Sequence, residues 1–270
     1  PRVPNTQAHK ACAGYLATTL KRFGAEVIEQ QANLKAFDNT ILKSVNIIGS
    51  YNPSHKTRIL LAAHWDSRPF ADNDPNPDNH RKPVLGANDG ASGVGVLLEL
   101  ARLFNENPPA IGVDIIFFDA EDYGQPYFDN RPEVKNSWCL GSQYWARNPH
   151  KPNYRARYGI LLDMVGAKNA VFPKDWMSVN YAEHVLNKVW GKAGELGYGD
   201  LFVDKQGAYI TDDHVYINEI IGIPCIDIIH YENDGFFKYW HTVNDTMRNI
   251  DKTTLHAVGQ VLLEVLYNEK

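Results

Sequence analysis

Four stretches of the chain leave almost no face for water: "RILLAAHW" (58–65), "VDIIFF" (113–118), "YGILLD" (158–163) and "IGIPCIDII" (221–229). Each has the length of a strand. An unbroken apolar run implies burial on both faces, where a half-exposed strand would alternate. Helical patterns lie between and around them. Asn5 to Phe23 carries a stripe of Ala11, Tyr15, Leu16, Thr19, Leu20 and Phe23, "GVGVLLELARLF" (93–104) is apolar at helical spacing, and a last helix is expected over Lys252 to Tyr267. "AEVIEQQANLKAF" and "SVNIIGSY" supply two further β segments ahead of the first buried strand. Strands covered on both sides and alternating with helices predict an α/β fold. The expected form is a three-layer sandwich: a twisted, mixed, largely parallel sheet with helices on both faces. At 270 residues and 44% hydrophobic, the chain can bury such a core as one domain over 1–270 without disulfide or metal staples.

Three of these strands lead into charge: to His64 and Asp66, to Asp119, Glu121 and Asp122, and to Asp163. In open α/β sheets ligands bind outside the carboxyl ends of the strands, so these residues are expected at a site. Two long loops rich in Pro, Asn and Asp, "RPFADNDPNPDNHRKPVLGAND" and "YGQPYFDNRPEVKNSWCLGS", follow strand ends; loops of that length in a compact domain are usually functional. Within the first, "DNDPNPDN" has Pro77 where a calcium loop needs Gly and Pro83 where it needs Glu, and it reads as a solvated loop.

A net charge of −5 gives no electrostatic case for nucleic acid or an anionic membrane, and no apolar run approaches the roughly 20 residues of a membrane span. Cys12, Cys139 and Cys225 are too few for a disulfide framework; Cys139 and Cys225 read as small buried hydrophobes in apolar surroundings. The chain opens on Pro1, as expected of a processed or trimmed product.

His64, Asp89, Asp122, Asp163 and His241 make a set of two imidazoles and three carboxylates, which suits Zn(II) with one position left open. Other readings stand beside it. Asp89, among Gly86, Gly90 and Gly93, could cap the helix that follows; Asp212 could cap another; His241 beside aromatics could be a packed core residue.

The segments "AHWDS", "GANDGASGVGVLLELAR", "FFDAED", "LLDMVGA", "TDDH" and "WHTVND" occur in an order that resembles the zinc aminopeptidase superfamily, and most of all its glutaminyl cyclase branch, the glutaminyl-peptide cyclotransferases. The resemblance runs from about Asn5 to the C-terminus. It implies one zinc per chain, held by Asp89, Asp122 and His241. Glu121 takes the general acid/base position, and Asp163 and Asp212 match carboxylates that share hydrogen bonds beside the metal. Trp240 and Phe236 match aromatics of the substrate pocket. His64 and Asp66 match a relict of the aminopeptidase motif, in which the His binds a second metal. The branch commonly has Glu where this chain has Asp122. The implied partners are peptides with N-terminal Gln, converted to pyroglutamate with loss of ammonia by an extracytoplasmic monomer. The alternative is a two-zinc aminopeptidase, with His64, Asp89 and Asp163 on one metal and Asp89, Asp122 and His241 on the other.

Overall fold

The apolar runs become the middle of a six-stranded sheet. The computed structural model describes residues 1–232 and 235–270. In chain order the elements are α1 (Gln7–Arg22), β1 (Glu26–Lys35), β2 (Ile41–Tyr51), β3 (Arg58–His64), α2 (Ala91–Glu106), β4 (Gly112–Phe118), α3 (Leu140–Arg147), β5 (Tyr158–Asp163), β6 (Phe172–Lys174), α4 (Trp176–Glu195), β7 (Phe202–Gln206), α5 (Asp213–Tyr216), β8 (Cys225–Ile229) and α6 (Lys252–Tyr267). The sheet runs β1-β2-β4-β3-β5-β8. β3 is parallel to β4 and β5, and β5 to β8; β1 and β2 are antiparallel additions at one edge.

Hydrophobic pattern follows position. β3, β4, β5 and β8 are buried at every residue, whereas β1 is largely exposed at the edge. Ile59, Leu61, Ala63, Val113, Ile115 and Phe117 face one way, packing with Leu16 of α1, Leu97 of α2, Val189 of α4 and Leu262 of α6. Leu60, Ala62, Ile116 and Phe118 face the other way, against Trp145 of α3 and Ile217. Each fully buried aliphatic side chain contributes about 1.5–3 kcal/mol, so the two cores fix the three layers.

The first helix starts two residues later than its pattern suggests, because Thr6 Oγ1 accepts the His9 N–H as the N-cap while Asn5 turns left-handed at φ 70°. α2 lies unusually close to the sheet: a Cβ on Gly93 would sit 2.4 Å from the Leu162 carbonyl oxygen. That approach brings the loop before α2 against the end of β5. Among the described residues no helix is long and apolar enough to cross a membrane.

Candidate active site

Backbone strain marks the carboxyl end of the sheet. Among the described residues ten other than glycine have positive φ; six are asparagines, which tolerate it, and the other four are Ala120 (54°), Cys139 (55°), Met164 (49°) and His241 (54°). All four belong to one site. Such conformations cost about 1–3 kcal/mol each and persist where surrounding contacts impose them. Here the contacts are visible. Asp66 accepts the N–H of Glu121 at 3.1 Å on one oxygen and of Asp122 at 3.2 Å on the other, holding the turn that Ala120 begins after β4. Asp245 does the same for the loop before α2, accepting the N–H of Asn88 (2.8 Å) and Asp89 (3.0 Å). The His241 carbonyl accepts the Asn73 N–H at 3.1 Å.

Asp89 is the shared member of two donor triads, His64–Asp89–Asp163 and Asp89–Asp122–His241, in each of which the ligand atoms lie within 4.8 Å of one another. His64 Nε2 is 3.0 Å from Asp89 Oδ1 and 3.2 Å from Asp163 Oδ1. His241 Nε2 is 3.1 Å from Asp122 Oδ1 and 3.6 Å from Asp89 Oδ2. These approaches are not hydrogen bonds: Asp89 Oδ2, Asp122 Oδ1 and Asp163 Oδ1 are buried without a hydrogen-bond partner. Buried carboxylate oxygens without a donor are costly, and a cation at the triads would satisfy them. The far nitrogen of His241 lies 3.5 Å from Asp72 Oδ1, likewise without a hydrogen bond, and Arg68 grips that carboxylate with two hydrogen bonds of 2.6 Å. A carboxylate behind the far nitrogen is where a metal-ligating histidine usually finds its support.

The electrostatics are those of crowded, dry carboxylates. Burial, with Asp89 and Asp212 adding like charge against the opposing His64, pushes Asp163 up to about 7. Burial and the Asp89 charge raise Asp122 to about 6. Glu121 stands well above the usual carboxylate range through burial and the charges of Asp122, Asp212 and Asp213. Burial also works against Asp89, yet His64, His241 and Arg68 leave it below that range. Glu121, Asp122, Asp89, Asp163, Asp212 and His241 open into one pocket of about 500 Å³, walled by Phe236, Trp240, Trp138 and Tyr209. Trp240 and Trp138 both lie near-parallel to the His241 ring, with centroids 3.8 and 5.9 Å away.

The candidate ligands and pocket residues named from the sequence come to this end of the sheet, but Asp119 does not join them: its carboxylate turns to His9 Nε2 (2.9 Å) and accepts the Val45 N–H (2.7 Å). Several details differ. "DNDPNPDN" is not simply solvated: Asp72 and Asp74 are buried, and Asp74 accepts the Val243 N–H at 3.1 Å, tying the loop to the segment that carries His241. Cys139 is buried as expected, but its surroundings are polar, with Sγ 3.3 Å from Glu121 Oε1. Asp89 does not cap α2; the N-cap is Gly90, at φ 86°, where a Cβ would meet the His64 ring at 2.8 Å. Asp212 does cap α5 while also lining the pocket. Asp163 pairs with His64 and feels the charge of Asp212, one oxygen of which lies within 4.8 Å of donor atoms of Glu121 and Cys139. Sequence reasoning passes over Arg68, Asp72, Trp138, Cys139 and Asp245 as site residues. Their signals were general ones: Arg68, Asp72, Trp138 and Cys139 lie in the two long loops expected to be functional, and Asp245 lies inside "WHTVND".

A glutaminyl cyclase of Bacteroides thetaiotaomicron, solved with N-acetylhistamine bound, is 57% identical, superposes with a TM-score of 0.99 and covers 100% of this chain and 93% of its own. A protein from Parabacteroides distasonis described as a Zn-dependent exopeptidase is also 57% identical, with a TM-score of 0.98 over 100% of this chain and 93% of that one. The glutaminyl-peptide cyclotransferase of Bothrops jararaca is 28% identical over 244 residues, which are 80% of this chain and only 63% of that longer protein. The model of peptidase family M28 matches residues 46–266, from within β2 almost to the end of α6. That match takes in both triads and the strands that carry them, and on it the chain belongs to peptidase family M28.

Proposed function

We propose that the protein converts N-terminal glutaminyl residues of peptides to pyroglutamate, releasing ammonia. The observation that carries the reading is the placement of the Glu121 carboxyl in the same aromatic-walled pocket as the Asp89–Asp122–His241 triad. The cyclase names of the similar solved structures support it. The triad would hold one zinc ion, which when bound polarises the side-chain carbonyl of the substrate. The peptide's α-amine nitrogen bonds to its own side-chain carboxamide carbon, and the carbon–NH2 bond breaks. Nucleophile and electrophile are tethered, so no water needs activating. Glu121 takes the proton from the amine and returns it to the leaving nitrogen, a role open to a carboxyl that shares the pocket with the triad. Asp212 lies beside Glu121 and, with Asp122 and Asp213, keeps negative charge around it, while Asp163 lines the same pocket against His64. Trp240 and Phe236 supply the walls that hold the glutaminyl side chain folded back on its amine. On this reading residues 1–270 act as one catalytic domain, a monomer working outside the cytoplasm.

The His64–Asp89–Asp163 triad favours a second reading, a two-zinc aminopeptidase. One experiment separates the two. A short peptide beginning in Gln is incubated with zinc-loaded protein, and ammonia and product mass are followed. Cyclisation removes one ammonia and leaves every peptide bond intact, and N-acetylation of the peptide abolishes it by removing the nucleophile. Free glutamine and a shortened peptide would establish the aminopeptidase. Ammonia released from the acetylated peptide would mean a water-using deamidase and overturn both.

A further inference from the structure

The Glu121 side chain is long and rotatable, and its chemistry needs one orientation of the carboxyl. Its backbone is held from two sides: the N–H by Asp66 at 3.1 Å, and the carbonyl by the Cys139 N–H at 2.9 Å. Leu140 N–H adds a bond of 3.0 Å to the neighbouring Ala120 carbonyl, so the residues at the start of α3 and the turn after β4 are laced together. At the carboxyl itself there is one hydrogen bond among the described residues, from Cys139 Sγ to Oε1 at 3.3 Å. Oε2 is left free of hydrogen bonds, 3.9 Å from His64 Nδ1.

Cys139 is fully buried and sits in a left-handed conformation that a side chain other than Gly or Asn rarely adopts. A residue chosen only to fill space at the N-terminal end of a helix would not need that conformation. A left-handed turn at Cys139 aims the sulfur back at Glu121 while its N–H holds the carbonyl of the same residue. We propose that Cys139 is a positioning residue for Glu121, its thiol donating to Oε1 so that the other carboxyl oxygen faces the substrate. The inference rests on the reading of Glu121 as proton carrier. Burial and the neighbouring carboxylates push the thiol well above its usual range, which keeps it an S–H donor.

The test compares wild type, Cys139→Ala and Cys139→Ser for kcat and KM on an N-terminal Gln peptide, with zinc content and Tm measured alongside. Removing the donor in Cys139→Ala is expected to lower kcat about tenfold, with KM within about twofold and zinc content unchanged. Cys139→Ser restores a donor and is expected to bring kcat back to within about threefold of wild type. A packing role predicts the reverse order, since Ala is tolerated in a buried position better than a hydroxyl without a purpose. If Cys139→Ala does not fold, Cys139→Gly also removes the donor and suits the positive φ of this position. Wild-type kcat in the Ala or Gly variant, or an equal loss in the Ser variant, overturns the inference and leaves the cyclase reading standing. If wild type releases free glutamine instead, the cyclase reading fails, and the same variants are compared on that hydrolysis, where Glu121 again carries the proton. Turnover in neither reaction removes both.

Discussion

His150 stands on the face of the sheet that packs α3, and its ring is an acceptor by geometry: Trp145 Nε1–H donates to its Nδ1 at 3.1 Å. Burial, helped by Lys151 and Arg58 and opposed by Asp114, lowers its pKa from 6.5 to about 4. The sign follows from linkage. Above 6.5 the ring is neutral folded or unfolded, and its contribution is fully present; as pH falls from 6.5 toward 4 the unfolded chain takes up the proton first, and stability is lost. His150→Gln keeps an acceptor and does not titrate there. Between pH 7 and pH 5 the variant is therefore expected to lose less Tm than wild type in parallel thermal melts. At this scale the sequence was legible where charge followed an apolar strand, which is why His64, Glu121, Asp122 and Asp163 could be read. It was not legible for Asp72, because Pro, Asn and Asp compose packed turns and solvated loops alike. Nor could it reveal Cys139, whose small apolar character and thiol donor are the same residue seen from two environments.

The approach of α2 to β3 and β5 rests on one glycine of two. A methyl group on Gly93 would come 2.4 Å from the Leu162 carbonyl and 3.0 Å from Ala63 Cβ, with a paired strand unable to retreat, whereas Gly95 has nothing within 4 Å. Gly93→Ala is expected to cost about 1–3 kcal/mol in urea unfolding, and to loosen the site by parting Asp89 from Asp163. Gly95→Ala, one turn-face away on the same helix, is expected to be neutral or to stabilise by about 0.5–1 kcal/mol. The buried strands and α6 were readable because their patterns are continuous; α6 runs over Lys252–Tyr267 as its periodicity indicates. α4 escapes the sequence reading although Val185, Leu186, Val189 and Trp190 form a buried stripe, and its φ/ψ break at Ala182 interrupts that stripe near the start. β6 and β7 are short, pair among the described residues with each other, and have no alternation to detect.

Across the whole molecule, the sheet gathers acids from strands far apart in the chain, and their burial with few cations beside them stores repulsion that a divalent ion would relieve. Zinc binding is therefore expected to stabilise the fold by mass action. Stripping with a chelator should lower Tm by on the order of 10 °C, and added Zn(II) should restore it, as read by thermal melts with and without metal. The large-scale architecture was readable, since double-sided burial of four strands admits few arrangements; the sheet order was not, because it depends on contacts between distant residues. The bonds from Asp245 to the N–H groups of Asn88 and Asp89 span 157 and 156 residues of sequence. A ribosome delivers those two amides long before the carboxylate that fixes them, and His64 long before His241. While the chain is being made, the early half holds acids whose last support has not yet been translated. The site is complete only once His241 and Asp245 have been made, so a nascent fragment that stops short of them lacks a member of one triad and the support of the other.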